Sequence, residues 1–87
     1  MPVVTCKLGL FDYDQSVYII NDDGITKEIG RAPYESLPQF IASTCADNDI
    51  NEVILSGSKY YTQNLKKQIE VRSLNKYDRA LIVLERE

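Results

Sequence analysis

Eighty-seven residues, 44% of them hydrophobic and 26% charged, suffice for one domain with a single modest core and are too few for two. A formal net charge of −3 removes the long-range attraction that steers proteins onto phosphate backbones, although a local basic patch could still bind nucleic acid. With no histidine, the chain lacks the commonest general base, the commonest metal ligand and any imidazole pH switch.

No apolar run approaches a membrane span, and the N-terminus lacks the charged and apolar regions of a signal peptide. The expectation is a cytoplasmic protein that is not attached to a membrane. Cys6 and Cys45 lie far apart, without metal-ligand spacing and among apolar neighbours, so they read as reduced thiols in the core.

Residues 2–11 alternate, with Val4, Cys6, Leu8 and Leu10 on one side and Val3, Thr5, Lys7, Gly9 and Phe11 on the other. That spacing predicts a first strand with one clearly apolar face. Asp12-Tyr13-Asp14-Gln15 is a polar break suited to a hairpin turn. Residues 16–21 make a second strand, in which Val17, Tyr18, Ile19 and Ile20 render both faces apolar. Asn21-Asp22-Asp23-Gly24 is a turn. Residues 25–29 form a third strand, whose Lys27 and Glu28 suit an edge protected against unwanted pairing. The three strands form an antiparallel meander.

Ser36 and Gln39 have the spacing of a capping box at the start of a helix, and Pro38 is tolerated in its first turn. Leu37, Phe40, Ile41, Thr44 and Cys45 form one apolar stripe, and Asp47-Asn48-Asp49 ends the helix. The unbroken triplet Val53-Ile54-Leu55 reads as a strand covered on both faces. It turns through Ser56-Gly57-Ser58 into a second helix from Lys59, with Tyr61, Leu65 and Ile69 on one stripe. Val71 and Leu74 fall off that stripe, which predicts a helix ending near Gln68 and a strand over 69–74. A continuing helix is the alternative. Asn75-Lys76-Tyr77-Asp78 is a turn, residues 80–84 are a last apolar strand, and Glu85-Arg86-Glu87 are a charged tail. The fold class is α+β or α/β, on one mixed sheet.

This order of elements resembles the ribonuclease-H-like superfamily, and three short stretches add to the likeness. Leu10-Phe11-Asp12 is similar to that family's first strand, which ends in a catalytic aspartate. Tyr34-Glu35-Ser36-Leu37 resembles the start of its first helix, which carries a catalytic glutamate. Leu55-Ser56-Gly57-Ser58-Lys59-Tyr60 resembles the fourth-strand motif Thr-Asp-Ser-x-Tyr, with Gly57 where the family has its second aspartate. The resemblance implies a mixed sheet whose first three strands are antiparallel and whose later strands join in parallel behind crossover helices.

It also implies catalytic roles for Asp12 and Glu35, and here the chain departs from the family. Two-metal hydrolysis clamps the attacking and leaving oxygens between ions about 3.5–4 Å apart. Magnesium needs several converging carboxylates, and Gly57 brings only backbone atoms. The chain is also expected to stop before any later carboxylate-bearing helix. Nuclease activity is therefore expected to be absent, and no cofactor is implied.

Other candidate sites have structural readings beside the functional ones. Asp12 and Asp14 are candidate metal ligands, though carboxylates in a turn also simply form it. Glu35 would equally favour the positive end of a helix. Ser56, Gly57, Ser58 and Lys59 could cradle a phosphate-bearing ligand, though a tight strand-to-helix turn calls for glycine anyway. Lys59, Lys66, Lys67, Arg72, Lys76 and Arg79, with Tyr60, Tyr61 and Tyr77 among them, could bind nucleic acid or be a solvated face. Two helices cannot cover both faces of such a sheet, so Val3, Phe11, Tyr18 and Ile20 mark an apolar surface left open. The expected partner is another protein or a second copy, with nucleic acid the less favoured alternative. The small size and the lack of catalytic groups suit an accessory factor, of viral or mobile-element origin.

Overall fold

The computed structural model describes every residue from Met1 to Glu87 as one α+β unit. Five strands, β1 (Val3–Lys7), β2 (Asp14–Ile20), β3 (Thr26–Pro33), β4 (Glu52–Ser56) and β5 (Ile82–Arg86), form a single mixed sheet in the order β3-β2-β1-β4-β5. The β1–β2 and β2–β3 pairs are antiparallel, whereas β1–β4 and β4–β5 are parallel. Each parallel connection carries a helix, α1 (Leu37–Asn48) before β4 and α2 (Lys59–Tyr77) before β5.

Both helices lie on the same face and pack against each other. Val4, Cys6, Val17, Ile19, Val53, Leu55 and Val83 point toward them and join Leu37, Ile41, Cys45, Leu65 and Ile69 in one core cluster. β3 comes close to α1 at Gly30: a Cβ there would stand 2.7 Å from the Phe40 ring. The register of β2 with β3 shifts between Val17 and Tyr18, a bulge that lets Gly30 meet that ring.

Several sequence expectations change. The first strand ends at Lys7, so Leu8–Tyr13 form a loop and the second strand starts two residues early, at Asp14. The cause is a side chain. The buried amide of Gln15 accepts the Gly9 N–H at 2.7 Å and donates to the Asp12 carbonyl at 2.7 Å, holding the chain away from the sheet. The edge strand β3 runs on to Pro33, past the expected end at Ile29.

Ser36 does not cap α1 with its side chain. A 3₁₀ turn over Tyr34–Ser36 leads directly into the helix, so Ser36 already has helical φ and ψ (−96°, −8°) and the Leu37 N–H donates to the Tyr34 carbonyl. No capping box forms, because its Ser would need an extended backbone.

α2 continues to Tyr77 in place of the expected strand over 69–74 and turn over 75–78. Its buried stripe is Thr62, Leu65, Ile69 and Ser73, with Val71 and Leu74 facing solvent and Tyr61 39% exposed. Lys66 and Lys67 therefore stand in mid-helix. Asp78, in the left-handed region at φ 51°, ends the helix: its N–H donates to the Leu74 carbonyl and the Arg79 N–H donates to the Ser73 carbonyl. The last strand is correspondingly late, and Glu85 and Arg86 belong to it. β4 is covered on one face only: Val53 and Leu55 are buried, but Ile54 is not.

Candidate functional site

The sheet face opposite the helices carries no element of this chain, and register places its side chains in rows. One row runs Thr26, Ile20 and Val3 on β3, β2 and β1, then Glu52 and Ile82 on β4 and β5. The next runs Glu28, Tyr18, Thr5, Ile54 and Leu84. The third holds Arg31 and Ser16, then Lys7, Ser56 and Arg86. Val3, Tyr18, Ile20 and Ile54 are half-buried by their neighbours in the sheet, while Ile82 is 61% exposed and Leu84 42%. The first two rows thus form an apolar band interrupted by Glu52 on β4 and bounded by Glu28 on β3. The third, at the carboxyl ends of β1, β4 and β5, carries three cations.

Val3, Tyr18 and Ile20 stand on this face as expected. Phe11 does not: it sits in the Leu8–Tyr13 loop, off the sheet and 100% exposed, because the strand that would have carried it ends at Lys7. Ile54, Ile82 and Leu84 were missed as surface residues. Their positions within apolar runs looked like core, and only the one-sided placement of both helices turns them outward.

A second region lies at the carboxyl end of β1. Leu8, Gly9, Leu10, Asp12, Gln15, Tyr34 and Tyr61 line a cavity of about 150 Å³. The Tyr34 hydroxyl donates to the Tyr61 carbonyl at 2.9 Å, and the rings of Tyr34, Tyr61 and Tyr60 meet edge-to-face in succession, at 5.6 and 5.2 Å. Burial, with smaller contributions from Tyr61 and Tyr60, holds the Tyr34 phenol above its ordinary pKa. The Asp12 carboxylate folds back over Gly9, where a Cβ would clash with its Oδ2.

Glu35 lines a different, more open hollow with Pro38, Lys67, Arg72 and Lys76, so Asp12 and Glu35 do not line a common cavity. Asp14 sits at the start of β2, exposed at the rim of the open face. No three Cys, Asp or Glu side chains converge in a group that could hold a metal.

At the turn after β4, Gly57 has φ 146°, and a Cβ would stand 3.0 Å from that of Leu8. Glycine is required there by backbone and space. Its N–H donates to the Arg86 carbonyl at 2.8 Å, which removes it from any phosphate cradle. Ser58 and Lys59 remain at the N-terminus of α2, where the small hollow beside Lys59 sets Glu85 and Glu87 against Lys59 and Arg86 and has no excess of positive charge to hold an anion.

The basic residues of the last third are divided: Lys67, Arg72 and Lys76 share the hollow with Glu35, and the others are set among acidic partners. Glu70 and Glu85 stand beside Lys66 and Lys67, and Lys76 lies over the Tyr77 ring at 5.7 Å. Arg79 is bound to Asp49 at 3.0 Å and to the Asn51 amide oxygen, which ties the loop before β5 to the loop before β4. Cys6 and Cys45 are free thiols in the core, where burial pushes the first up to about 11 and the second up to about 12. No protein-family model and no curated protein sequence matches the chain.

Proposed function

We propose that this protein is a small, non-catalytic interaction or assembly module with a degenerate ribonuclease-H-like fold. The observation that carries the reading is the open sheet face, whose first two rows hold Val3, Tyr18, Ile20, Ile54, Ile82 and Leu84. An apolar band of this kind on a small domain is stabilised when another surface removes it from water. The antiparallel first three strands and the two parallel crossovers support the fold likeness. The separation of Asp12 from Glu35, with Gly57 in place of a carboxylate, supports the non-catalytic part.

Sedimentation at micromolar concentration together with binding of the dye ANS tests the reading. A dimer, or a monomer that binds ANS, is expected. A monomer that binds none would remove it. Magnesium- or manganese-dependent cleavage of an RNA–DNA hybrid, lost in Asp12→Asn, would overturn the non-catalytic part.

A further inference from the structure

Resting on the reading of the open face as an interaction surface, we infer that its occupant is a second copy of this chain, packed face to face with its strands antiparallel to the first. The order of charge along the strands carries the inference. At the amino ends of the parallel strands, Glu52 stands in the first row, between Val3 on β1 and Ile82 on β5. At the carboxyl ends, Ser56 occupies the same strand in the third row, between Lys7 and Arg86. One β4 strand thus carries an anion within the first row of the band and, beyond the band's other edge, a hydroxyl flanked by two cations.

A two-fold axis lying between the sheets and perpendicular to the strands turns the first row of one copy onto the third row of the other, and keeps β4 opposite β4. Glu52 then lies over Ser56 of the second copy, between its Lys7 and Arg86, and the contact occurs twice by symmetry. The middle row meets itself, placing Ile54 against Ile54, Leu84 against Leu84 and Tyr18 against Tyr18, with Glu28 facing Glu28 only at the edge strand, while Val3 and Ile82 cover the aliphatic stems of Lys7 and Arg86 on either side of Glu52. A two-fold axis along the strands would instead set cations on cations. Stacked sheets keep their strand directions within about 30° of each other, which leaves this pairing of rows intact. Asp14 and Glu28 lie on the same face but at its rim, exposed to water.

Charge exchange tests the arrangement. Glu52→Lys should weaken self-association about tenfold or more by sedimentation, because each copy then sets lysine against Lys7 and Arg86. The double variant Lys7→Glu with Arg86→Glu should do the same. Mixed in equal amounts, the two should form a heterodimer of close to wild-type affinity, since both symmetry-related contacts regain opposite charges. Circular dichroism checks that each variant is folded, since all three side chains lie on the face away from the core. A mixture that stays monomeric, or variants that dimerise as tightly as the wild type, overturns the arrangement; the second outcome points to pairing at an edge strand. A wild-type monomer that binds ANS ends this inference and leaves the interaction reading standing. A monomer without ANS binding ends both.

Discussion

Single side chains decide where the sheet ends. Gln15 is 4% exposed, and its amide serves both the Gly9 N–H and the Asp12 carbonyl, so its removal takes the partner from two part-buried backbone groups. Gln15→Leu should cost about 1–3 kcal/mol and should speed hydrogen exchange at Gly9 while sparing the strands. Cys6 and Cys45 give a pH signature. Their ordinary pKa of 9.0 rises to about 11 and about 12 in the fold, so above pH 9 the unfolded chain loses protons that the folded chain keeps. Their contribution is fully present below pH 9 and is lost as pH rises through the folded values. Within that window, stability should fall by about 1.4 kcal/mol per pH unit per thiol. Denaturant melts across this range should show a shallower decline for Cys6→Ala than for the wild type.

Helices show where periodicity suffices and where it misleads. α1 was legible from Leu37, Ile41 and Cys45, because a single stripe recurs at helical spacing and ends in turn-forming residues. α2 was legible only in its first half, since Ser73 continues the stripe after Ile69 without being apolar. That serine is buried because its hydroxyl donates to the Arg79 carbonyl at 2.7 Å, a partner that no local pattern announces. The strand alternation of residues 2–11 was likewise real in composition, but Gln15 overrides it beyond Lys7. Substitutions distinguish the long helix from the helix–strand alternative. Ile69→Ala should cost about 2–5 kcal/mol as a core cavity, whereas Val71→Ala, exposed and with better helix propensity, should be neutral or slightly stabilising. In a strand over 69–74, Val71→Ala would be destabilising. Gly57→Ala, forced into φ 146° and against Leu8, should cost about 1–3 kcal/mol.

For the molecule as a whole, the consequence of α1 and α2 sharing a face is a sheet with a dry side and a wet side. Strand composition alone could not reveal this, because Val53-Ile54-Leu55 reads the same whether helices cover one face or two. Of the anticipated interaction residues, Val3, Tyr18 and Ile20 lie on the open face by strand parity, and Phe11 fell away with the end of β1. The cations Lys7, Arg31 and Arg86 gather at one end of that face only because β1, β4 and β5 run parallel while β3 returns beside β2. Two neighbours on β4 separate the faces in one comparison, the stability and sedimentation of Ile54→Lys beside Leu55→Lys. Leu55→Lys should fail to fold, while Ile54→Lys should melt near the wild-type temperature and sediment as a monomer. An Ile54→Lys protein that unfolds as Leu55→Lys does, or that keeps full self-association, would contradict an open apolar face that is closed by a partner.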